Sequence, residues 1–281
     1  MRIIKSPEEM NSYAQKAKCR GQAISFVPTM GHLHNGHRSL IEAAKAKAKL
    51  TVVSIFVNPI QFGQGEDFSR YPKDLRRDEK MLKELEVDVL FVPPADKMYK
   101  GDFKTFVEVE TLSKKLCGKT RPTHFRGVAT VLAKLFNIVQ PDFVFFGEKD
   151  FQQLVIVKKM VEDLNFPIKV IGLPTVREFD GLAMSSRNKN LTPKEREQSV
   201  LLFKAINLAK EEIEKGEKDI NRILLRMRTF VGSIPSIRLD YVAMVDPVTL
   251  EDIKSLRGKV LVAIAATLGG ARLIDNLLID A

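Results

Sequence analysis

Cysteine is almost absent from this 281-residue chain: the 2 present, Cys19 and Cys117, lie far apart and without metal-ligand spacing. That argues against a disulfide framework or a cysteine-rich zinc site, and both are expected to be plain packing residues. Tryptophan is missing altogether, and no basic run is interleaved with aromatic residues, so a stacking platform for nucleic acid has little support. No apolar run reaches the roughly 18 residues that a membrane-spanning helix needs. The amino terminus, MRIIKSPEEMNSYAQKAK, lacks the apolar centre and small-residue cleavage site of a signal peptide, and a cytoplasmic location is expected.

What is present suits an ordinary soluble protein. With 44% hydrophobic residues the chain can bury a substantial core in one or two domains. The net charge of +10 lies mostly before residue 177, scattered among acids as in KDLRRDEKMLKELE. Such a pattern reads as a solvated helix face. The excess is still compatible with two kinds of partner, an RNA or an anionic small substrate, and an RNA-binding module would bind with strong salt dependence.

Strand-like and helix-like stretches alternate along the first part of the chain. AISFV (23–27) reads as a buried strand, GHRSLIEAAKAKAK has apolar residues at helical spacing, and LTVVSIFV is β-branched and strand-like. KDLRRDEKMLKELEV, GVATVLAKLFNIV and FQQLVIVKKMVEDLN continue as helices, with DVLFVP, DFVFFG and PIKVIGLPTV as strands. The alternation predicts an α/β fold, a Rossmann-like doubly wound parallel sheet over residues 1–176. From residue 177 to 281 the pattern changes to one long helix (LTPKEREQSVLLFKAINLAKEEIEKG), a second helix around INRILLRMRTFV, and three strands near RLDYVAMV, GKVLVAIAATL and ARLIDNLLI. This predicts a second, smaller α+β C-terminal domain, placed as a lid.

Polar clusters follow three of the predicted strands: PTMGHLHNGH, NPIQFGQGED and GEKDFQQ. Ligands of open parallel sheets bind at those carboxyl ends. Three of the chain's 4 histidines, His32, His34 and His37, stand in the first cluster. His34 and His37 flank Gly36 at the start of a helix, whose free N–H groups and dipole attract anions, so both rings can face one phosphate-bearing ligand. His32 falls outside this His-x-Gly-His pattern and is read as a structural residue. No Cys, Glu or third His stands where a metal site would need it. AMSSRN (183–188) offers two hydroxyls and a guanidinium beside Gly181, a second anion device.

These segments together resemble the pantothenate synthetase (pantoate–β-alanine ligase) family, within the nucleotidyltransferases that carry the His-x-Gly-His motif. The resemblance runs through FVPTMGHLHNGH, SIFVNPIQFG, ED (66–67) then RYPKDL, TRPTHFRGV, FFGEKDFQQL and DGLAMSSRN. It implies ATP-dependent ligation of pantoate to β-alanine through a pantoyl adenylate, with ATP as substrate and Mg2+ on its phosphates. A different adenylyltransferase would keep both histidines but has no evident use for paired glutamines. By the same resemblance His34 and His37 are catalytic. Met30, Gly31, His34, His37, Gly147, Lys149, Asp150, Val176, Met184, Ser185, Ser186 and Arg187 bind ATP. Gln61 and Gln153 bind pantoate, and Gln61 also borders β-alanine. Asn58 and Arg121 match family positions without a defined role. The family further implies a homodimer, for which the VVSIFV stretch or the GVATVLAKLF helix are candidate contacts. GHLHNGH and PTHFRG depart from commoner family forms at intervening positions only.

Overall fold

The computed structural model describes all of residues 1–281. The chain opens with β1 (Arg2–Ile4), α1 (Pro7–Cys19), β2 (Ile24–Thr29), α2 (Asn35–Lys47), β3 (Leu50–Ile55), α3 (Leu75–Glu84) and β4 (Val89–Phe91). Next come the short α4 (Ala95–Met98) and α5 (Cys117–Thr120), then α6 (His124–Val139), β5 (Phe143–Gly147), α7 (Phe151–Asp163) and β6 (Lys169–Leu173). Helices α8 (Pro193–Ser199), α9 (Leu201–Glu214) and α10 (Ile220–Gly232) precede β7 (Ile237–Val245), β8 (Lys259–Leu268) and β9 (Ala271–Asp280).

Strands β1 to β6 form one sheet in the order β1-β4-β3-β2-β5-β6, and every pairing is parallel. Both faces are covered, as parallel sheets require. Phe26 of β2 packs with α1, α6 and α7, while Val27, the next residue, packs with α2 and α3 on the opposite face. Chain order reverses at β2, with β3 on one side and β5 on the other. A crevice therefore opens between the loops that leave these two strands, the place where such sheets bind ligands.

The three remaining strands form an antiparallel sheet, β7-β8-β9. Strand β8 is apolar on both faces for a specific reason. Val260, Val262, Ile264, Ala266 and Leu268 meet α9 and α10, whereas Leu261 and Ala263 face the first layer through Leu116, Phe151 and Val155. The small sheet is thus packed between its own helices and the larger sheet's α7.

Three sequence expectations need correction. The long helix over 191–216 is two helices, α8 and α9, broken at Val200. Buried Ser199 donates its hydroxyl to the Arg196 carbonyl at 2.6 Å, a back-bond that draws this carbonyl off the helix ladder. Thr192 and Glu195 do form the reciprocal cap at the start of α8. Cys117 is buried, but Cys19 is exposed at the end of α1, whose packed face is Met10, Ala14 and Ala17. The VVSIFV strand lies inside the sheet with β3 wholly buried, and α6 is buried along nearly its whole length, so neither offers a surface to a second subunit.

Candidate active site

Helix α2 begins with an uncommon cap. His34 takes the N-cap position with an extended backbone, and its Nδ1 accepts the Gly36 N–H at 3.1 Å. In return the His34 N–H is donated to Nδ1 of His37 at 3.3 Å. The reciprocal arrangement uses imidazoles where other helices use Ser and Glu. Gly36 is required between them, because a Cβ there would stand 2.9 Å from Cε1 of His34. The two ring centroids are 4.2 Å apart.

The cap also fixes where the protons sit. Each Nδ1 accepts a hydrogen bond and is unprotonated, so each neutral ring carries its proton on Nε2. Burial pushes His34 down to about 3, helped by His37 and Lys149, and pushes His37 down to about 4, helped by Lys149 and His32. Near neutral pH these rings are uncharged Nε2–H donors.

The turn that delivers them is braced from α3. Asp78, buried, accepts the His32 N–H at 2.7 Å and the Leu33 N–H at 2.8 Å. Burial raises its carboxyl above the ordinary value, and these two bonds act the other way. His32 itself is buried outside the crevice, with Nε2 3.3 Å from Arg77 Nη1. Its carbonyl accepts the Ser186 hydroxyl at 3.0 Å, which ties the SSR segment to the histidine turn.

Across the crevice, the NPIQF segment forms a single 3-10 turn, Pro59–Gln61, packed against α6. Gly127 makes this approach possible, since a Cβ on it would be 2.5 Å from Gln61 Cα. Asn58 orients the glutamine. Its Nδ2 donates to Gln61 Oε1 at 3.1 Å and to the Gly127 carbonyl at 3.0 Å, while its Oδ1 accepts the Tyr99 hydroxyl at 2.8 Å. With Oε1 engaged, Gln61 offers its NH2 group, which contacts the Met30 sulfur at 3.0 Å.

Gln152 and Gln153 are neighbours in α7 with different tasks. Gln152 is buried and fully bonded, accepting the Cys117 N–H and donating to the Leu112 and Lys115 carbonyls. One residue later the helix has turned by about 100°, and Gln153 faces the crevice.

A cavity of about 780 Å3 joins these groups. Met30, His34, His37, Asn58, Gln61, Arg121, Gly147, Lys149, Asp150, Gln153, Val176 and the 184–187 segment all line it. Gly31 is the exception among the predicted residues. Its N–H is donated to the Thr29 hydroxyl at 3.2 Å, and it belongs to the turn rather than to the cavity wall.

Sequence reasoning missed two features of the wall. His124 lines the cavity, and its Nδ1 lies 2.8 Å from the Gln61 carbonyl. A carbonyl only accepts, so the ring carries its proton on Nδ1 and leaves Nε2 as an acceptor. Burial, then the Arg121 charge, pushes this histidine down to about 3. The second feature is that both arginines are already paired. Arg121 forks onto Glu66 through Nε at 2.6 Å, and Arg187 onto Asp67 through Nε at 2.7 Å and Nη2 at 3.0 Å. Burial acts to raise both carboxyls, but the guanidinium bonds outweigh it and both sit below their ordinary values.

Comparison with known proteins agrees with this geometry. The family model for pantoate-beta-alanine ligase matches residues 2–278. A pantothenate synthetase from Caldicellulosiruptor bescii is 48% identical over 281 residues, the full length of both chains. The crystal structure of pantothenate synthetase from Thermus thermophilus superposes with a TM-score of 0.94 at 44% identity, covering 99% of each chain. Pantoate-beta-alanine ligase from Francisella tularensis, crystallised with beta-gamma ATP and beta-alanine, gives a TM-score of 0.81 at 34% identity, covering 99% of this chain and 97% of its own. A near-complete family match, full-length relatives and whole-chain superpositions converge: this chain belongs to the pantoate–β-alanine ligase family, enzymes that join pantoate to β-alanine with ATP.

Proposed function

We propose that ATP lies across the β2/β5 crevice with its phosphates at the mouth of α2, and that pantoate lies beside it on Gln61 and Gln153. The supporting observation is that two imidazoles, each with its proton set on Nε2 by a backbone bond, share one cavity with two side-chain amides. Pantoate's carboxylate attacks the α-phosphorus, forming a P–O bond as pyrophosphate leaves. The amine of β-alanine then attacks the resulting acyl carbon, and AMP departs. Both nucleophiles come from substrates, so the protein's part is alignment and stabilisation of charge.

On this reading His34 and His37 donate Nε2–H to phosphate oxygens, and Lys149, with only 18% of its side chain exposed, adds a positive charge. Asp150 meets the ribose hydroxyls, Val176 the adenine through its backbone, and Met30 borders the nucleotide. Gly147 leaves room for it, since nothing lies within 4 Å of where its Cβ would be. Met184, Ser185, Ser186 and Arg187 form the flap. Gln61 also borders β-alanine. A neutral amide suits pantoate because it does not repel the attacking carboxylate.

Magnesium fits as a companion of the triphosphate, neutralising its charge, held mostly by phosphate and water. No three His, Cys, Asp or Glu side chains gather at a point. Of the carboxylates lining the cavity, Glu66, Asp67 and Asp240 are engaged by arginine and Asp150 is assigned to the ribose, in keeping with a metal held mostly by phosphate and water. Residues 1–176 act as the nucleotide- and pantoate-binding domain and 177–281 as the lid. A cytoplasmic homodimer is the working form, with small molecules rather than nucleic acid as partners. No helix is long and apolar enough to cross a membrane.

Pyrophosphate release tests the scheme. Release from ATP should require pantoate, and AMP should appear only once β-alanine is added. Pantoate-independent release would overturn it.

A further inference from the structure

We propose that Asn276, on the last strand, is a positioning residue for the Lys149 turn, held in place by Arg177 and Asp275. The inference rests on the reading of Lys149 as a phosphate ligand. Its starting point is a turn that does not hold itself. Glu148–Asp150 is a 3-10 turn between β5 and α7, and neither it nor α7 has a side-chain cap. Its carbonyls are met from the other sheet. One amide nitrogen, Asn276 Nδ2, donates to the Glu148 carbonyl at 3.0 Å and to the Lys149 carbonyl at 2.8 Å. Both hydrogens of a single NH2 group are thereby spent on two consecutive peptide units, which fixes the direction in which the Lys149 side chain leaves the backbone.

Asn276 is itself fixed from both sides. Its N–H is donated to Asp275 Oδ1 at 2.8 Å, and Asp275 is buried and forked by Arg177 at 2.7 and 3.0 Å. The Arg177 guanidinium also reaches the Asn276 carbonyl at 3.4 Å and the Gly181 carbonyl at 3.0 Å, and it lies 4.4 Å from the centre of the Phe203 ring. Gly181 belongs to the reversal that pairs Arg177 with Ala183 and returns Met184 N–H to the Val176 carbonyl at 3.0 Å. A single arginine thus connects the Val176 backbone, the flap and the lysine turn. Asn276 does not line the large cavity; it borders the smaller chamber behind it, together with Lys149 and Gln153. It therefore acts through Lys149 and touches no substrate.

Steady-state kinetics of Asn276→Ala, Asn276→Asp, Lys149→Ala and the Lys149→Ala/Asn276→Ala pair test this. Asn276→Ala should lower kcat/KM for ATP about tenfold, the scale of losing a buried donor pair, while KM for pantoate stays put. Asn276→Asp keeps the shape but sets a carboxylate against two carbonyls, so it should be worse than Ala; a mere packing role predicts the reverse. In the Lys149→Ala background Asn276→Ala should cost nothing further. Wild-type ATP kinetics in Asn276→Ala, or a full tenfold loss persisting without the lysine, would overturn the inference while leaving the role of Lys149 intact. Lys149→Ala with unchanged ATP kinetics would overturn that role and the inference with it. If Asn276→Asp does not fold, the alanine pair decides alone.

Discussion

At the mouth of α2 the imidazoles of His34 and His37 are held by N–H groups of their own turn, and their outward nitrogens are free. On the facing wall Arg121 and Arg187 are held by Glu66 and Asp67, partners 55 and 120 residues away in sequence, and their forks are filled. The first wall is made ready by local backbone geometry and stays uncharged. The second is charged but partly neutralised, with Nε and Nη2 of each arginine given to a carboxylate, so a phosphate that binds there meets a screened charge and the remaining N–H donors. On the proposed scheme, neutral donors in fixed positions serve the charge that grows during reaction, whereas the ion-paired arginines serve recognition of the anion that arrives.

The largest effect should come from the local wall. His37→Ala is expected to lower turnover about 10²-fold or more in a pyrophosphate-release assay, the range seen for losing one donor to a developing charge. An undiminished rate would break the comparison, because the histidines would then be structural caps only.

A sharper probe leaves every polar group in place and moves one wall. Gly127→Ala puts a methyl group against Gln61 Cα, so the Pro59–Gln61 turn has to shift. A loss of about 1–3 kcal/mol in unfolding free energy is expected, with KM for pantoate raised and KM for ATP little changed. Equal changes in both constants would mean that the two walls are not independent.

The charged wall is probed by Asp67→Asn. Freeing Arg187 from its fork should strengthen pyrophosphate binding severalfold at low salt, with the gain fading as salt rises. Weaker binding, read by calorimetry, would mean that Asp67 builds the site rather than competing for it.

A last probe separates the walls by pH. The unfolded chain takes up protons at its histidines near 6.5, whereas folded His34, His37 and His124 resist until about 3 to 4. The unfolded state therefore binds more protons in this interval, and stability falls as pH drops below 6.5. Carboxylates begin to contribute only below about 5. The thermal midpoint should decline between those values, and less steeply in His124→Asn, which keeps a donor toward the Gln61 carbonyl. A flat midpoint would contradict the low values of the buried rings.

The parts legible in the sequence share one property: they are local. β2, α2 and β3 announce themselves by periodicity, and the His-x-Gly-His cap is complete within one helical turn. The family resemblance points to Gln153, and helix geometry gives it a physical basis by turning Gln152 into the core. What escaped depends on distant chain. Glu66 and Asp67 stand out in the sequence only through the family resemblance, and their pairing with Arg121 and Arg187 needs chain from far away, just as His124 acts on a carbonyl 63 residues earlier. Gly31 enters the ATP contacts only as part of the Met30–His37 segment of the resemblance, and in sequence a glycine that turns a chain looks like one that lines a cavity. The break at Val200 hides for another reason: Val200 keeps helical dihedrals, so the apolar periodicity runs through it unbroken.

Because their inner nitrogens are occupied, the rings of His34 and His37 meet an incoming ligand as dipoles rather than as cations. On the proposed scheme a neutral pair exerts less hold on a departing diphosphate than two cations would. Turnover then depends on letting go as much as on holding, and a variant with permanent positive charge at either position should accumulate product-bound enzyme.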